Sequence, residues 1–175
     1  MKKRKLLSSI FGSIALVSGS IWVGAYVARL ITTYQMFEPA ETTLKSYLSG
    51  NNLPAVIQTI FPLVSITFFS YLVMIIALTI FIISTDLKFK ENGWLLIISM
   101  IIYLTLPFEF LLLTIDYKLI IFLMNGQFNS GEILKLIIER QNILSSFPVI
   151  LLLCYFTIPF FLVFKPFKMN LKNED

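Results

Sequence analysis

Two carboxylates lie in a part of this 175-residue chain that is otherwise strongly apolar. Glu109 stands within "YLTLPFEFLLLTIDYK", and Asp116 follows seven residues later, which places both on one face of a helix, two turns apart. An ionised carboxylate in hydrocarbon is costly unless it faces a cation or binds a proton. The pattern therefore indicates either an ion pair inside the protein or a site for a proton, an ion or a small ligand.

Arginines are the natural partners for these acids, because a guanidinium group matches a carboxylate in geometry. The depth of a side chain follows from counting 1.5 Å per helical residue from the predicted cytoplasmic ends of the spans, at residues 6, 93 and 164. The count places Glu109 about 24 Å across the membrane, and Arg29 and Asp116 about 34 Å across it. Arg140 lies at about 36 Å by the same count. Gln58 belongs to this outer zone as well. We predict that Arg29 pairs with Glu109, with Arg140 as the second choice.

Prolines lie at nearly the same depth in three of the predicted spans, at Pro62, Pro107 and Pro148. Each removes a backbone donor and crowds the preceding turn, so each is predicted to kink its helix. Kinked helices around a buried acid could open a polar cavity toward the outer side. The first interpretation is an Arg–Glu pair that holds helices together. The alternatives are a ligand or proton site in that cavity and a contact surface for another membrane subunit.

The composition is that of an integral membrane protein. Apolar residues make up 57% of the chain and charged residues 14%, with a mean hydropathy of +0.84, which leaves too little polar surface for a soluble domain. Because isolated strands are unstable in lipid, the apolar runs predict an all-α four-helix bundle and a single transmembrane domain over 1–175. The predicted spans are 6–31, 54–85, 93–115 and 143–164.

The basic residues predict the orientation of these spans. With the N-terminus inside, nine of the 14 Lys and Arg residues fall on the inner side, so both termini are predicted in the cytoplasm, most simply of a bacterial inner membrane. The net charge of +4 is then a topology signal and not a nucleic-acid patch. The basic start resembles a secretory signal, but its apolar run continues through "IWVGAYVA", which favours an uncleaved first span.

Small residues and the outer loops complete the predicted architecture. Ser20, Gly24 and Ala28 are spaced by four on one face of the first span, which favours close packing inside the bundle or, alternatively, homodimerisation. The loop sequences "EPAETTLKSYLSGNN" and "NSGEILKLIIERQN" predict short amphipathic helices. The second either extends the fourth span or lies on the outer surface.

The chain contains no His and a single Cys, Cys154. This excludes bis-His haem, His-based metal sites and Ser-His-Asp or Cys-His catalysis. We predict no metal, no cofactor and no catalytic residue.

The predicted function is a non-enzymatic accessory or scaffold subunit of a membrane assembly. Its expected partners are the lipid bilayer and either another membrane protein or a second copy of the chain, and no nucleic acid. One alternative is a small transporter, channel or ligand-binding protein that uses an outward-facing cavity at Glu109 and Arg29. The other is a lipid-modifying enzyme that uses an outer carboxylate as general base.

Overall fold

The structure of the chain, a computed structural model, describes residues 2–38, 43–48, 52–125, 129–144 and 147–168. Four stretches of these residues are long and apolar enough to cross a membrane, which confirms the prediction of four long apolar helical segments. The named elements are all helices: α1 Lys2–Tyr34, α2 Leu53–Ser84, α3 Gly93–Met124, α4 Ser130–Leu144, α5 Phe147–Phe156 and α6 Ile158–Phe164.

The most extensively packed pair of helices is α1 with α2, which run antiparallel. Gly12 of α1 faces Phe81 and Gly19 faces Met74, and a Cβ built at either glycine would lie 3.1 Å from that side chain. These two glycines therefore let the helices approach closely. They are not the stripe predicted from the sequence.

The predicted stripe lies on a different part of the α1 surface. Ser20 and Gly24 are exposed, Ala28 is half-buried, and no described atom of another element lies within 4 Å of a Cβ built at Gly24. Within the described chain, α2 thus packs on another face of α1. Homodimerisation through Ser20, Gly24 and Ala28 stays a prediction.

The segment around residues 130–142 is helical and forms α4, whose junction with α5 at 145–146 lies outside the described residues. Ile133 and Ile137 are buried on one face of α4 and pack with Ile57, Ile60 and Leu119 of α2 and α3. The apolar face of α4 therefore covers one end of these two helices, and α4 ends at Leu144 before α5 begins.

The described part of the first outer loop is not helical, contrary to the prediction. Phe37 pairs with Leu44 in an antiparallel bridge, and the Glu38 N–H donates to the carbonyl oxygen of Thr43 at 2.9 Å. Met36, Phe37 and Leu48 are buried, so the chain folds back to cover the end of the bundle. The rest of that predicted helix falls at 39–42 and 49–51, outside the described residues.

The fourth span differs from the single helix predicted over 143–164. Its described part, from Phe147 onward, is interrupted at Thr157, because Pro159 lacks an N–H and its ring crowds the preceding turn. Pro148 is buried in α5, and the turn before it, where its kink was predicted, includes residues 145–146, outside the described residues. Pro62 and Pro107 lie inside α2 and α3, which continue as helices past them.

The chain after α6 is fastened to the start of α3. Lys165 and Phe167 adopt positive φ angles of 44° and 62°, and the Gly93 N–H donates to the Phe167 carbonyl oxygen at 3.2 Å. Next to this bond, Asn92 and Lys168 form an isolated antiparallel β-bridge. The turn holds the Lys165 Nζ 5.7 Å from the centroid of the Trp94 ring.

Gly93→Ala is expected to destabilise the protein by about 1–3 kcal/mol, because the new methyl group would overpack this turn. A Cβ at Gly93 would lie 2.8 Å from the Phe167 Cβ and 3.3 Å from its carbonyl oxygen, and neither atom can rotate away. Gly24→Ala is the matched control, since its surroundings are open. There, the lower backbone entropy of alanine is expected to raise stability by roughly 0.5–1 kcal/mol. Thermal unfolding in detergent measures both, and equal shifts of the same sign would contradict the fastening role of Gly93.

Candidate functional site

Asp116 of α3 binds two arginines from two other helices. Arg29 of α1 donates from Nη1 to Oδ2 at 2.7 Å and from Nη2 to Oδ1 at 2.6 Å. Arg140 of α4 donates from Nε to Oδ1 at 2.9 Å. Only 6% of the Arg29 side chain, 2% of Asp116 and 12% of Arg140 is exposed, so water competes little for these bonds. This Asp116 cluster, made of the three residues, ties α1, α3 and α4 together.

The predicted pair between Arg29 and Glu109 is therefore corrected. Both arginines bind Asp116, and the salt bridges of the described chain do not include Glu109. Asp116 lies about 10 Å farther along α3 than Glu109, which brings it level with both guanidinium groups. Three predicted candidates, Arg29, Asp116 and Arg140, thus meet. A fourth, Gln58, is exposed on α2.

Glu109 lies in a buried polar region next to the Asp116 cluster. Its side chain is 2% exposed, and its Oε1 makes no hydrogen bond to the described residues. The hydroxyls of Tyr26 and Tyr71 and the Nε1 of Trp22 are likewise buried without a hydrogen bond of ordinary geometry there. The Tyr26 side chain nevertheless lies within interaction range of Glu109 and Arg140, and that of Tyr71 within range of Tyr155. Glu109 is close enough to both tyrosines and to Arg140 for electrostatic interaction. The region therefore holds both donors and an acceptor with unused hydrogen-bonding capacity.

Aromatic rings from three helices surround Trp22. Its ring centroid lies 5.0 Å from that of Tyr26, 5.2 Å from Tyr71 of α2 and 4.6 Å from Tyr155 of α5. The guanidinium carbon of Arg140 lies 5.5 Å from the centroid of the Tyr26 ring, within range of a cation–π interaction. The rings therefore join the Asp116 cluster to the apolar core.

A cavity of about 30 Å³ adjoins the Asp116 cluster, with Arg29, Arg140 and Tyr26 among its lining residues. Since one buried water needs about 10–15 Å³ of such space, the cavity has room for about two water molecules. Pro148 lines the cavity, whereas Pro62 and Pro107 are exposed on α2 and α3. The cavity predicted from three prolines thus involves one of them.

The charges of this region balance only if Glu109 is counted. Burial by itself would lower the pKa of Arg140, but the carboxylate of Asp116, with help from Tyr26 and Glu109, raises it above its ordinary value. Arg29 is likewise a permanent cation. Two cations face one anion in the Asp116 cluster, and an ionised Glu109 would supply the second. Within the described residues, no three Asp, Glu, His or Cys side chains converge as metal ligands.

The cluster of aromatic residues around Trp22 was not predicted from the sequence, although the spacing of residues along α1 indicates which face is packed. The residues of α1 that face its neighbours alternate in steps of three and four, as in a helix-packing seam. They are Gly12, Ala15, Gly19, Trp22, Tyr26, Arg29 and Thr33. The spacing-by-four stripe used for the prediction follows a neighbouring face.

The four segments that are long and apolar enough to span a membrane have the length and composition of those in polytopic α-helical membrane proteins. Comparison with protein-family models, with curated proteins and with solved structures found no match to the chain.

Proposed function

We propose that the chain is a non-enzymatic accessory or scaffold subunit of a membrane assembly. The observation that supports this best is the Asp116 cluster, in which Arg29, Asp116 and Arg140 bond one another and hold three helices. A transport or catalytic site needs space for its solute, whereas the cavity beside the cluster accommodates about two waters. The polar centre is thus better suited to fixing the helices than to passing a substrate.

The surroundings of the chain belong to the same proposal. Large apolar side chains are exposed along α1, among them Ile10, Val17 and Ile21, and these face lipid or a partner's helix. The excess of Lys and Arg near the termini favours a bacterial inner membrane with both termini in the cytoplasm.

A ligand- or proton-binding protein is the second candidate, and the unpartnered Oε1 of Glu109 favours it. That oxygen, together with the hydroxyls of Tyr26 and Tyr71, could hold a proton or a small polar ligand. A lipid-modifying enzyme has less support, because Asp116, one of its candidate bases, is occupied by two guanidinium groups.

Glu109→Gln separates these functions. Glu109 makes no salt bridge within the described residues and glutamine has nearly the same shape, but the change removes a charge that balances Arg140. We therefore expect the free energy of unfolding to fall by roughly 1–3 kcal/mol, less than for Asp116→Asn. Under the accessory proposal, the tagged full-length variant purifies in mild detergent with the same stoichiometric partner as the unchanged chain.

The control is Asp116→Asn, which should be markedly less stable and retain less of the partner. The contrary outcome is a chain with no stoichiometric partner that carries proton or ion flux in proteoliposomes, with flux lost in the folded Glu109→Gln variant. That result would replace the accessory proposal with the second candidate.

A further inference from the structure

A second and much larger cavity lies on the outside of the bundle. This groove, which we call the α1 groove, has a volume of about 920 Å³ and runs between α1 and the α5–α6 segment. Small residues of α1, including Ser9, Ser13 and Ser20, contribute one side, and Ile98 of α3 and Leu162 of α6 contribute apolar surface. Because the α1 residues are small, the groove is deep enough to receive a chain of methylene groups.

One end of the α1 groove is positively charged. Lys165 lines it and is held there by the turn that joins the end of α6 to Gly93. Lys5 is exposed and lies one turn from Ser8 and Ser9, on the face of α1 that lines the groove. The described lining of the groove includes no acidic residue. The groove therefore combines an apolar length with a basic end.

We propose that the α1 groove binds an anionic phospholipid, with an acyl chain along the apolar length and the phosphate at Lys5 and Lys165. Basic pockets between membrane helices bind such head groups, and the charge of this end matches that of the phosphate. The bonded turn at Gly93 keeps Lys165 in place before any lipid binds, so little order is lost on binding.

A second copy of the chain suits the groove less well. Two copies related by a twofold axis along the membrane normal would place their basic ends at the same level. Lys5 and Lys165 of one copy would then approach the same residues of the other, and like charges in contact are unfavourable. The phosphate of an anionic lipid would instead attract Lys5 and Lys165, so its binding creates no such repulsion.

Tryptophan quenching by brominated lipids tests the proposal with the full chain. The sequence has two tryptophans, of which Trp94 lines the groove and Trp22 is fully buried outside it. In phosphatidylcholine vesicles with a minor brominated component, brominated phosphatidylglycerol is expected to quench the protein more than brominated phosphatidylcholine. Trp94→Phe should abolish the difference, because only Trp22 then emits.

Variants that remove single charges test which lysines cause the preference for phosphatidylglycerol. Each of Lys5→Gln and Lys165→Gln is expected to lower the preference for phosphatidylglycerol about fivefold and to leave quenching by phosphatidylcholine unchanged. The matched control neutralises Lys88 and Lys90, which are exposed and do not line the groove. Their loss should leave the preference in place. Ser13→Leu, which fills the groove, should reduce quenching by both lipids.

Three results would overturn the proposal. Equal quenching by the two brominated lipids would show that the groove does not select charge. An equal loss of preference in the Lys88, Lys90 control would assign it to the general surface potential. Absence of quenching, together with a two-chain species in native mass spectra, would place a second copy in the groove.

Discussion

Asp116→Asn is expected to lower the free energy of unfolding by about 3–5 kcal/mol, the largest single effect anticipated for this chain. Asparagine keeps the size of the side chain but removes the negative charge, so Arg29 and Arg140 would face each other inside the protein. Their three hydrogen bonds to the carboxylate would be weakened or lost. Reversible unfolding in detergent–lipid mixtures, followed by circular dichroism, measures the change.

The matched control for Asp116 is a surface ion pair. The Lys88 Nζ lies 3.2 Å from the Glu91 Oε1, but 76% of the lysine side chain and 35% of the glutamate side chain is exposed. Glu91→Gln is therefore expected to cost less than about 1 kcal/mol.

A double variant isolates the coupling between Arg29 and Asp116. Arg29→Gln combined with Asp116→Asn removes one cation together with the anion, so its loss should be smaller than the two single losses added together. Additive losses, or an Asp116→Asn variant as stable as the Glu91→Gln variant, would show that the Asp116 cluster does not hold the helices.

Trp22→Ala is expected to cost about 2–3 kcal/mol through the cavity it leaves among Tyr26, Tyr71 and Tyr155. In lipid the gain from leaving water is absent, because acyl chains are as apolar as the core, so the lost contacts carry the whole effect. This is why the expected loss is smaller than for a buried tryptophan in a soluble protein. The same unfolding measurement applies.

Two neighbouring substitutions serve as controls for Trp22. Trp22→Phe keeps most of the ring contacts, and the Nε1 it removes has no partner in the described chain, so a loss of about 1 kcal/mol is expected. Ile21→Ala removes a side chain that is 49% exposed, where lipid fills the space, and little change is expected. If Ile21→Ala is as harmful as Trp22→Ala, the packing around Trp22 is not what stabilises the bundle.

The sequence alone determined the all-helical class and the four segments long and apolar enough to span a membrane, because hydropathy and length are properties of each segment by itself. It also placed Arg29, Asp116 and Arg140 at one level, since the rise per helical residue is constant. The break at Thr157 was readable from Pro159 but was missed, because the apolar run continues through it.

Only the tertiary structure decided which groups meet. Counting residues gives a side chain's height, which put Asp116 level with Arg29 and Glu109 about 10 Å away, but it does not give the rotation of a helix relative to its neighbours. The pairing of Arg29 with Glu109 was predicted because the more deeply placed acid had the greater need of a cation. The rotation of α1 follows from where Gly12 and Gly19 admit α2, and this directs Arg29 to Asp116 and leaves Ser20 and Gly24 exposed. The α1 groove exists for the same reason, because it is the space between helices that lie far apart in the sequence and is a property of no single segment.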